Sequence, residues 1–218
     1  MAKALHAAAF LVSRSGTIST FHMQKLLYYA QSCHLALHRK PLFDEPIEAW
    51  SNGPVVRDVF VRHQGRFNLK SPWPDAATLR YAEAELPSDA VHVLNVVADS
   101  LGCWATDALI ESTHCENPWV QARHGLAPDA YSDEVMNHDA MLEYFKAVCL
   151  PGEHEPIRSE LTPAAFELYL RFAQMRAFTP PIIKAEDADS WYEMLDAPPR
   201  EMPGLREFLL SAGARSRA

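Results

Sequence analysis

The sequence predicts a mainly α-helical protein: a compact multi-helix domain with one short β-hairpin element, followed by a small helical C-terminal extension. Apolar residues recur at helical spacing through most of the chain. Only one short segment, Pro46 to Trp50, alternates in the manner of a strand. Apolar residues make up 48% and charged residues 22% of the 218 positions. This composition is typical of chains that bury a core and not of disordered ones.

The first two helices follow from their apolar stripes. A helix from about Lys3 to Arg14 is predicted because Gly16 follows a short stripe: Leu5, Ala8, Ala9 and Val12. The second helix begins after Ser19 or Thr20, either of which can cap its free N–H groups. Its stripe is continuous down to Pro41 and predicts the centre of the core: Met23, Leu26, Leu27, Ala30, His34 and Leu37.

A tight turn is predicted after the alternating segment, because Asn52 and Gly53 tolerate positive φ. Pro54 fits the first position of a helix, where its missing N–H costs nothing. Gly65 is expected to close that helix, whose buried face is Val55, Val56, Val59, Phe60 and His63. Residues 66–87 carry three prolines and little periodicity, which predicts a loop with at most one helical turn or a short extended piece.

Later helices are predicted where a capping or starting residue precedes apolar positions: Ser88, Thr106, Pro118, Asn137 and Thr162-Pro163. The polar, proline-containing run PGEHEPIRSE predicts a linker, so we divide the chain into a helical domain over residues 1–150 and a helical extension over residues 151–218. Two shorter helices are expected after Glu186 and Pro203. The aromatic residues of the extension either close a small subdomain or help to cover a partner: Phe166, Tyr169, Phe172, Trp191 and Tyr192.

The charge of the chain bears on its partners. A net charge of −8 and a pI near 5.7 oppose attraction to phosphate backbones and favour a basic partner. The apolar run from Ala7 to Val12 is far shorter than the roughly 20 residues of a membrane span, and no cleavage site follows it. We therefore expect a cytoplasmic protein. Four dispersed cysteines without a CxxC pair predict reduced thiols, mostly in the core.

Two segments carry a family resemblance. The first is His22 to Val56 (HMQKLLYYAQSCHLALHRKPLFDEPIEAWSNGPVV), and the second is Asp107 to Arg123 (DALIESTHCENPWVQAR). Together they resemble the two hallmarks of the SocA-like family of bacterial antitoxins, also called Panacea or GepA-like, from Lys3 to about Cys149. Two unusual motifs in the right order are more specific than one. The chain departs from the pattern at Ser51-Asn52 and at Ser32-Cys33, which affects surface detail.

The resemblance implies a non-catalytic protein that binds and neutralises a cognate protein toxin. One branch of the family is an adaptor that hands its toxin to the ClpXP protease. The acidic charge makes a basic toxin the expected partner. Two rival functions stay open: an acidic, nucleic-acid-associated transcriptional regulator, with the helices around the turn as a reading head, and a Cys/His-dependent hydrolase. Nucleic acid and membranes are not expected partners.

The candidate partner-binding or motif residues come from the two segments: Lys25, Tyr28, Tyr29, Trp50, Asn52, Gly53, Pro54, His114, Glu116 and Trp119. Because Tyr28 and Tyr29 are consecutive on a helix, they point about 100° apart, and we expect one of them to reach a groove or the surface. A structural alternative is a hydrogen bond from Tyr29 to the turn. In the second segment, Glu116 with its neighbour Asn117 would cap the following helix, under which Trp119 would pack.

Metal and catalytic chemistry are less favoured by the sequence. His34 and His38 are four apart, which is a metal-ligand spacing, and Cys33, Cys103, His114 and Cys115 could converge with them. A hydrogen-bonded core histidine is the commoner outcome for His34, so no metal or cofactor is predicted. Adjacent His114 and Cys115 point in different directions, so a catalytic pair would need a partner such as His22 or His63.

Overall fold

The structure of the chain is a computed structural model that describes residues 3–127, 129–150, 153 and 161–177. The helices expected after Glu186 and Pro203, and the aromatic residues Trp191 and Tyr192, lie outside this part of the chain. The described residues are mainly helical, as the sequence predicts. Their elements are α1 (Ala4–Ser15), β1 (Thr17–Ser19), α2 (Thr20–His38), β2 (Ile47–Trp50), β3 (Gly53–Val56), α3 (Arg57–His63), β4 (Asn68–Lys70), α4 (Ala76–Glu85), α5 (Ser88–Leu101), α6 (Thr106–Cys115), α7 (Asn117–Ala122), α8 (His138–Cys149) and α9 (Pro163–Ala177).

Helix α2 is the centre of the fold. The Ser19 hydroxyl accepts the N–H of His22 and caps its first turn, and Arg39 ends it with a left-handed φ of 56°. All but three of its 19 residues are buried, because α1, α5, α6, α8 and β3 pack around it. The stripe that predicts the core is therefore confirmed except at Leu37, which is half-buried, and polar side chains on the other faces of α2 are buried as well.

The turn at Ser51 and Asn52 connects β2 and β3 in an antiparallel hairpin. Pro54 belongs to β3, so its predicted position at the start of a helix is wrong, and α3 begins only at Arg57. Pro54 stands opposite Ala49, whose N–H donates to the Glu134 carbonyl on the other side of β2. The hairpin therefore needs no N–H from Pro54, and a proline is tolerated in the strand.

Residues 66–87 are more regular than the sequence predicts. The 10-residue helix α4 forms there because the Asp75 carboxylate accepts the N–H groups of Ala77 and Thr78. Only Ala82 is buried on this helix, so it has no apolar stripe by which to recognise it. The predicted extended piece is β4, which pairs antiparallel with β1 and forms a second strand pair, separate from the hairpin.

Helix α9 follows Thr162, whose hydroxyl accepts the N–H of Ala165, as the sequence predicts for its start. It packs against α5, α6 and α8. Most of the segment that predicts a linker lies outside the described residues, and the division of the chain near Pro151 stays a prediction.

The four cysteines divide between the core and the surface. Cys33 and Cys149 are buried free thiols, but Cys103 and Cys115 are exposed, so only half of the cysteines belong to the core.

None of the described helices alone has the length and apolarity of a membrane span. The bent pair of α5 and α6, with 112° between its axes, meets those criteria by length and composition only.

Candidate functional site

The two sequence segments meet at a carboxyl group. Glu116, between α6 and α7, accepts the hydroxyl of Tyr28 at 2.7 Å and that of Tyr29 at 3.0 Å. A third hydroxyl, from Thr162 at the start of α9, donates at 2.8 Å. Glu116 therefore joins three parts of the chain that are distant in sequence.

Both tyrosines are completely buried, so the expectation that one of them reaches a groove or the surface is wrong. The expectation assumed that α2 has a solvent face, and α2 has none at this point. The two rings lie 5.1 Å apart, and each packs against Phe145 of α8. The Glu116 carboxyl accepts the two buried tyrosine hydroxyls, which would otherwise need water as a hydrogen-bond partner.

Burial controls the acidity of this cluster. Desolvation raises the pKa of Glu116 to about 7, against the opposing effect of the three hydroxyl donors. Burial first, and then the Glu116 charge, raises the pKa values of Tyr28 and Tyr29. Glu116 occupies the N-cap position of α7, but its side chain caps no N–H there, so the capping role predicted for it is wrong. Its carboxyl instead accepts hydrogen bonds from Tyr28, Tyr29 and Thr162 in the interior.

Lys25 of α2 bonds to the hairpin. Its side chain is fully buried, and its ammonium donates to the Pro54 carbonyl at 3.1 Å. Burial lowers the pKa of Lys25 to about 7. Lys25 thus makes a bond from the helix to the hairpin, and the alternative of a bond from Tyr29 to the turn is wrong, because the Tyr29 hydroxyl donates to Glu116.

Gly53 lets the turn approach Lys25. Its φ is +88°, and a Cβ atom at this position would lie 2.8 Å from Lys25 Cε and 2.8 Å from Thr113 Oγ1. Only glycine fits a backbone that is both left-handed and this close to its neighbours.

A stack of three side chains holds β2 at the turn end of the hairpin. His114 lies flat on Trp119 with 4.3 Å between ring centroids, and Arg123 Cζ lies 4.8 Å from the centroid of the Trp119 ring. The Trp119 indole N–H donates to the Trp50 carbonyl at 3.1 Å. Burial, followed by the charges of Lys25 and Arg123, lowers the pKa of His114. Trp119 is buried beneath α7, as the sequence predicts.

Sequence reasoning missed Arg123. This guanidinium is 2% exposed and donates to the carbonyls of Ala49 at 3.0 Å, Ala127 at 2.7 Å and Ala130 at 2.8 Å. It connects the hairpin to the loop after α7. Its place at the end of the second motif was the available signal.

The geometry gives the Cys and His residues structural contacts. His114 packs on Trp119, whereas the exposed Cys115 lines a separate cleft with Trp104 and Pro163. His22 Nε2 bonds to the Leu101 carbonyl, and His63 Nε2 bonds to the Gln24 amide. His22 and His63 are thus held by hydrogen bonds that support the fold, and His114 is held by stacking. The absence of catalysis stays a prediction.

A groove opens beside Lys25. Its cavity has a volume of about 280 Å³ and lies between the start of α2, the hairpin and α3. We name it the aromatic groove after three of its lining residues, Phe21, Trp50 and Phe60. The Trp50 and Phe60 rings meet edge to face with 4.9 Å between centroids. Phe67 extends the rim, with 6.5 Å between its ring centroid and that of Phe21.

The predicted site residues divide by exposure. Asn52 is exposed and Trp50 half-buried, and both line the aromatic groove. His114 is also half-buried. The others are buried: Lys25, Tyr28, Tyr29, Gly53, Pro54, Glu116 and Trp119. These buried residues of the two motifs position the hairpin and the groove, and their contact with a partner stays a prediction.

Comparison with known proteins identifies one domain in the chain. Residues 23–120 match the family model described as "Antitoxin SocA-like, Panacea domain". No curated protein matches the chain, and no solved structure matches it. The match begins within α2 and ends in α7, so it contains the hairpin, Lys25, Glu116 and Trp119. Residues 23–120 are therefore similar to the SocA-like Panacea domain of antitoxins.

Proposed function

We propose that this chain neutralises a cognate protein toxin by direct, stoichiometric binding, and that the aromatic groove makes the central contact. The family supports an antitoxin role in general. The observation that carries the finer proposal is the groove itself, because the exposed Phe21 and the half-buried Trp50 and Phe60 line an apolar cavity next to the hairpin.

The groove has the properties of a binding hot spot. Phe21 is 38% exposed and Phe67 70% exposed, although both are large apolar side chains. Aromatic anchors that meet a pocket contribute most of the energy in protein interfaces. A cavity of about 280 Å³ has room for one or two apolar side chains of a partner, but it is small for a drug-sized ligand.

Hydrogen bonds hold the residues behind the aromatic groove in place, which favours tight binding. The Gln24 side chain bonds both to the backbone N–H of Val56, at 2.9 Å, and to His63 Nε2, at 3.1 Å. Lys25 fixes the Pro54 carbonyl from the same side. A groove that is already ordered loses little entropy on binding, so more of the contact energy appears as affinity.

The charge of the chain indicates the kind of toxin. A net charge of −8 attracts a basic protein over a distance and raises the association rate. The partner that we propose is therefore a basic protein with at least one exposed apolar side chain.

The experiment is co-expression of this chain with the product of the adjacent gene, followed by co-purification and affinity measurement. The double variant Phe21→Ala with Phe67→Ala removes the rim of the groove. Tyr81→Ala is the matched control, because Tyr81 is an exposed aromatic residue on α4 that does not line the groove. We expect the double variant to weaken binding at least tenfold, since a hot-spot pair contributes about 2 kcal/mol or more. Equal affinity of the two variants, with both folded by circular dichroism, would remove the groove from the proposal.

The adaptor role is a refinement of the same proposal. An adaptor needs one surface for the toxin and another for the protease, so toxin degradation should depend on this chain. Purified ClpXP would degrade the toxin faster in its presence and slower with the groove double variant. Equal degradation rates with and without the chain would leave blocking of the toxin as the mode of neutralisation.

A further inference from the structure

We propose that His34, His38 and Asp89 form a binding site for a divalent transition-metal ion of the zinc type. The site lies where the end of α2 meets the start of α5, away from the aromatic groove. One potential ligand atom from each of the three residues lies within 4.8 Å of the other two. The inference is independent of the proposed function, because the site can be tested without a toxin.

The two histidines provide two of the three proposed ligands, and their spacing places them side by side. Residues four apart on a helix lie on one face, and the rings of His34 and His38 are 4.7 Å apart between centroids. Two imidazoles with one carboxylate are a known ligand set for zinc and other transition ions, with a water in the remaining position. Bonds of about 2.1 Å to a tetrahedral ion place ligand atoms about 3.4 Å apart, so small side-chain rotations would close this cluster.

His34 is oriented for coordination. Its Nδ1 lies 2.9 Å from the Lys40 carbonyl oxygen, which can only accept, so Nδ1 carries the hydrogen. The lone pair of neutral His34 is therefore on Nε2, which faces Asp89 Oδ2 at 3.8 Å. Metal-binding histidines commonly donate their other N–H to a backbone carbonyl in this way.

His38 and Asp89 complete the set. His38 Nε2 is buried without a hydrogen-bond partner among the described residues, which is costly unless a ligand satisfies it. Asp89 keeps Oδ1 in a bond with the Ala90 N–H and directs Oδ2 towards the histidines. The Lys40 ammonium contacts Asp89 Oδ2 at 2.7 Å and competes with a metal for it. The Lys40 side chain is 55% exposed, so it can move into solvent when the ion binds.

The test is a zinc titration of the full chain, without a histidine tag, in competition with a chromophoric zinc indicator. We expect one tight equivalent per chain. His38→Ala and Asp89→Asn should each weaken it at least tenfold, while His92→Ala, an exposed histidine on α5, should not. Asp89→Asn keeps the shape and the Oδ1 bond, so it stays informative if His38→Ala unfolds.

Lys40→Gln distinguishes a metal site from an ion pair. Removal of the competing ammonium should tighten zinc binding several-fold, whereas a purely structural Lys40–Asp89 pair predicts no change in zinc affinity. Cobalt bound by the wild-type chain should show the visible absorption of a tetrahedral site, and this absorption should be lost in Asp89→Asn. Zinc binding that is absent, or that is equal in His38→Ala, Asp89→Asn and His92→Ala, would overturn the proposal.

Discussion

Gly53 approaches Lys25 so closely that a Cβ atom on Gly53 would lie 2.8 Å from Lys25 Cε. The hairpin turn and the central helix are thus fitted to each other at a single backbone position. The Pro54 carbonyl, one residue further on, accepts the Lys25 ammonium. The shape of the aromatic groove depends on this fit, because Lys25 and Asn52 both line it.

Replacement of Gly53 should therefore destabilise the fold more than replacement of a glycine with the same backbone angle in open space. Gly53→Ala combines positive-φ strain with overlap at Lys25 and Thr113, and we expect a loss of about 3 kcal/mol in the free energy of unfolding. Gly65 has a φ of +80° and no neighbouring atom within 4 Å of a Cβ, so Gly65→Ala should cost only about 1 kcal/mol. Urea unfolding of both variants measures the difference, and equal losses would contradict the close fit.

Glu116 should make stability depend on pH in the acidic range. The unfolded carboxyl ionises near 4.5, but the buried one holds its proton until about 7. Its contribution is complete below the unfolded pKa and is lost as the pH rises through the folded pKa. Subtraction of the Glu116→Gln unfolding curve from that of the wild type isolates this effect. The difference should fall as the pH rises from about 4.5 to about 7, and a flat difference would count against a buried, proton-holding carboxyl.

Truncation of Glu116 should be severe. Glu116→Ala leaves the hydroxyls of Tyr28, Tyr29 and Thr162 without their acceptor in the interior. Each unsatisfied group costs about 1–3 kcal/mol, so the total loss should exceed about 3 kcal/mol. Chemical denaturation measures it, with Glu111→Ala on α6 as the exposed control. A loss similar to that of the control would show that the three hydroxyls find other partners.

Lys25 should give the opposite pH dependence. The unfolded ammonium holds its proton until about 10.5, and the buried one releases it near 7. The unfolded chain therefore binds more protons in this window, and stability rises with pH across it. Lys25→Met should remove that rise, so the wild-type and variant unfolding free energies should converge or cross as the pH increases. Parallel curves between about pH 7 and pH 9 would contradict the low pKa.

Arg123 should not be replaceable by lysine. Its planar guanidinium reaches three carbonyls and stacks on Trp119, which a single ammonium cannot reproduce. We expect Arg123→Lys to lower the free energy of unfolding by about 2–4 kcal/mol and to alter the near-ultraviolet signal of Trp119. Arg62→Lys, at an exposed position of α3, should change stability by less than about 0.5 kcal/mol. Indistinguishable variants would contradict this role.

The sequence predicts most of the helices because their apolar stripes and caps are local. Ser19 and Asn137 are examples, since each caps the helix that follows it. Helix α4 escapes prediction because it buries only Ala82, and Pro54 is misplaced because its tolerance in β3 depends on a bond from Ala49 to Glu134. Long-range pairing of this kind is not encoded in any local pattern.

In the candidate site, too, local patterns could be predicted from the sequence but long-range packing could not. The motifs identify Tyr28, Tyr29 and Glu116 as candidate site residues, but they do not show that these three residues are buried together. That outcome depends on α8 and on Thr162, which lies 46 residues beyond Glu116. Likewise, the spacing of His34 and His38 is visible in the sequence, whereas Asp89 joins them only through the packing of α5 on α2.

We propose that this chain acts by holding another protein and not by changing it chemically. The most direct measurement is a titration of purified toxin activity with increasing amounts of the chain. Stoichiometric binding predicts a linear loss of activity that ends near a one-to-one molar ratio, with the toxin recovered intact and active after denaturing separation and refolding. Complete inactivation by a small fraction of an equivalent, or recovery of a covalently altered toxin, would contradict it.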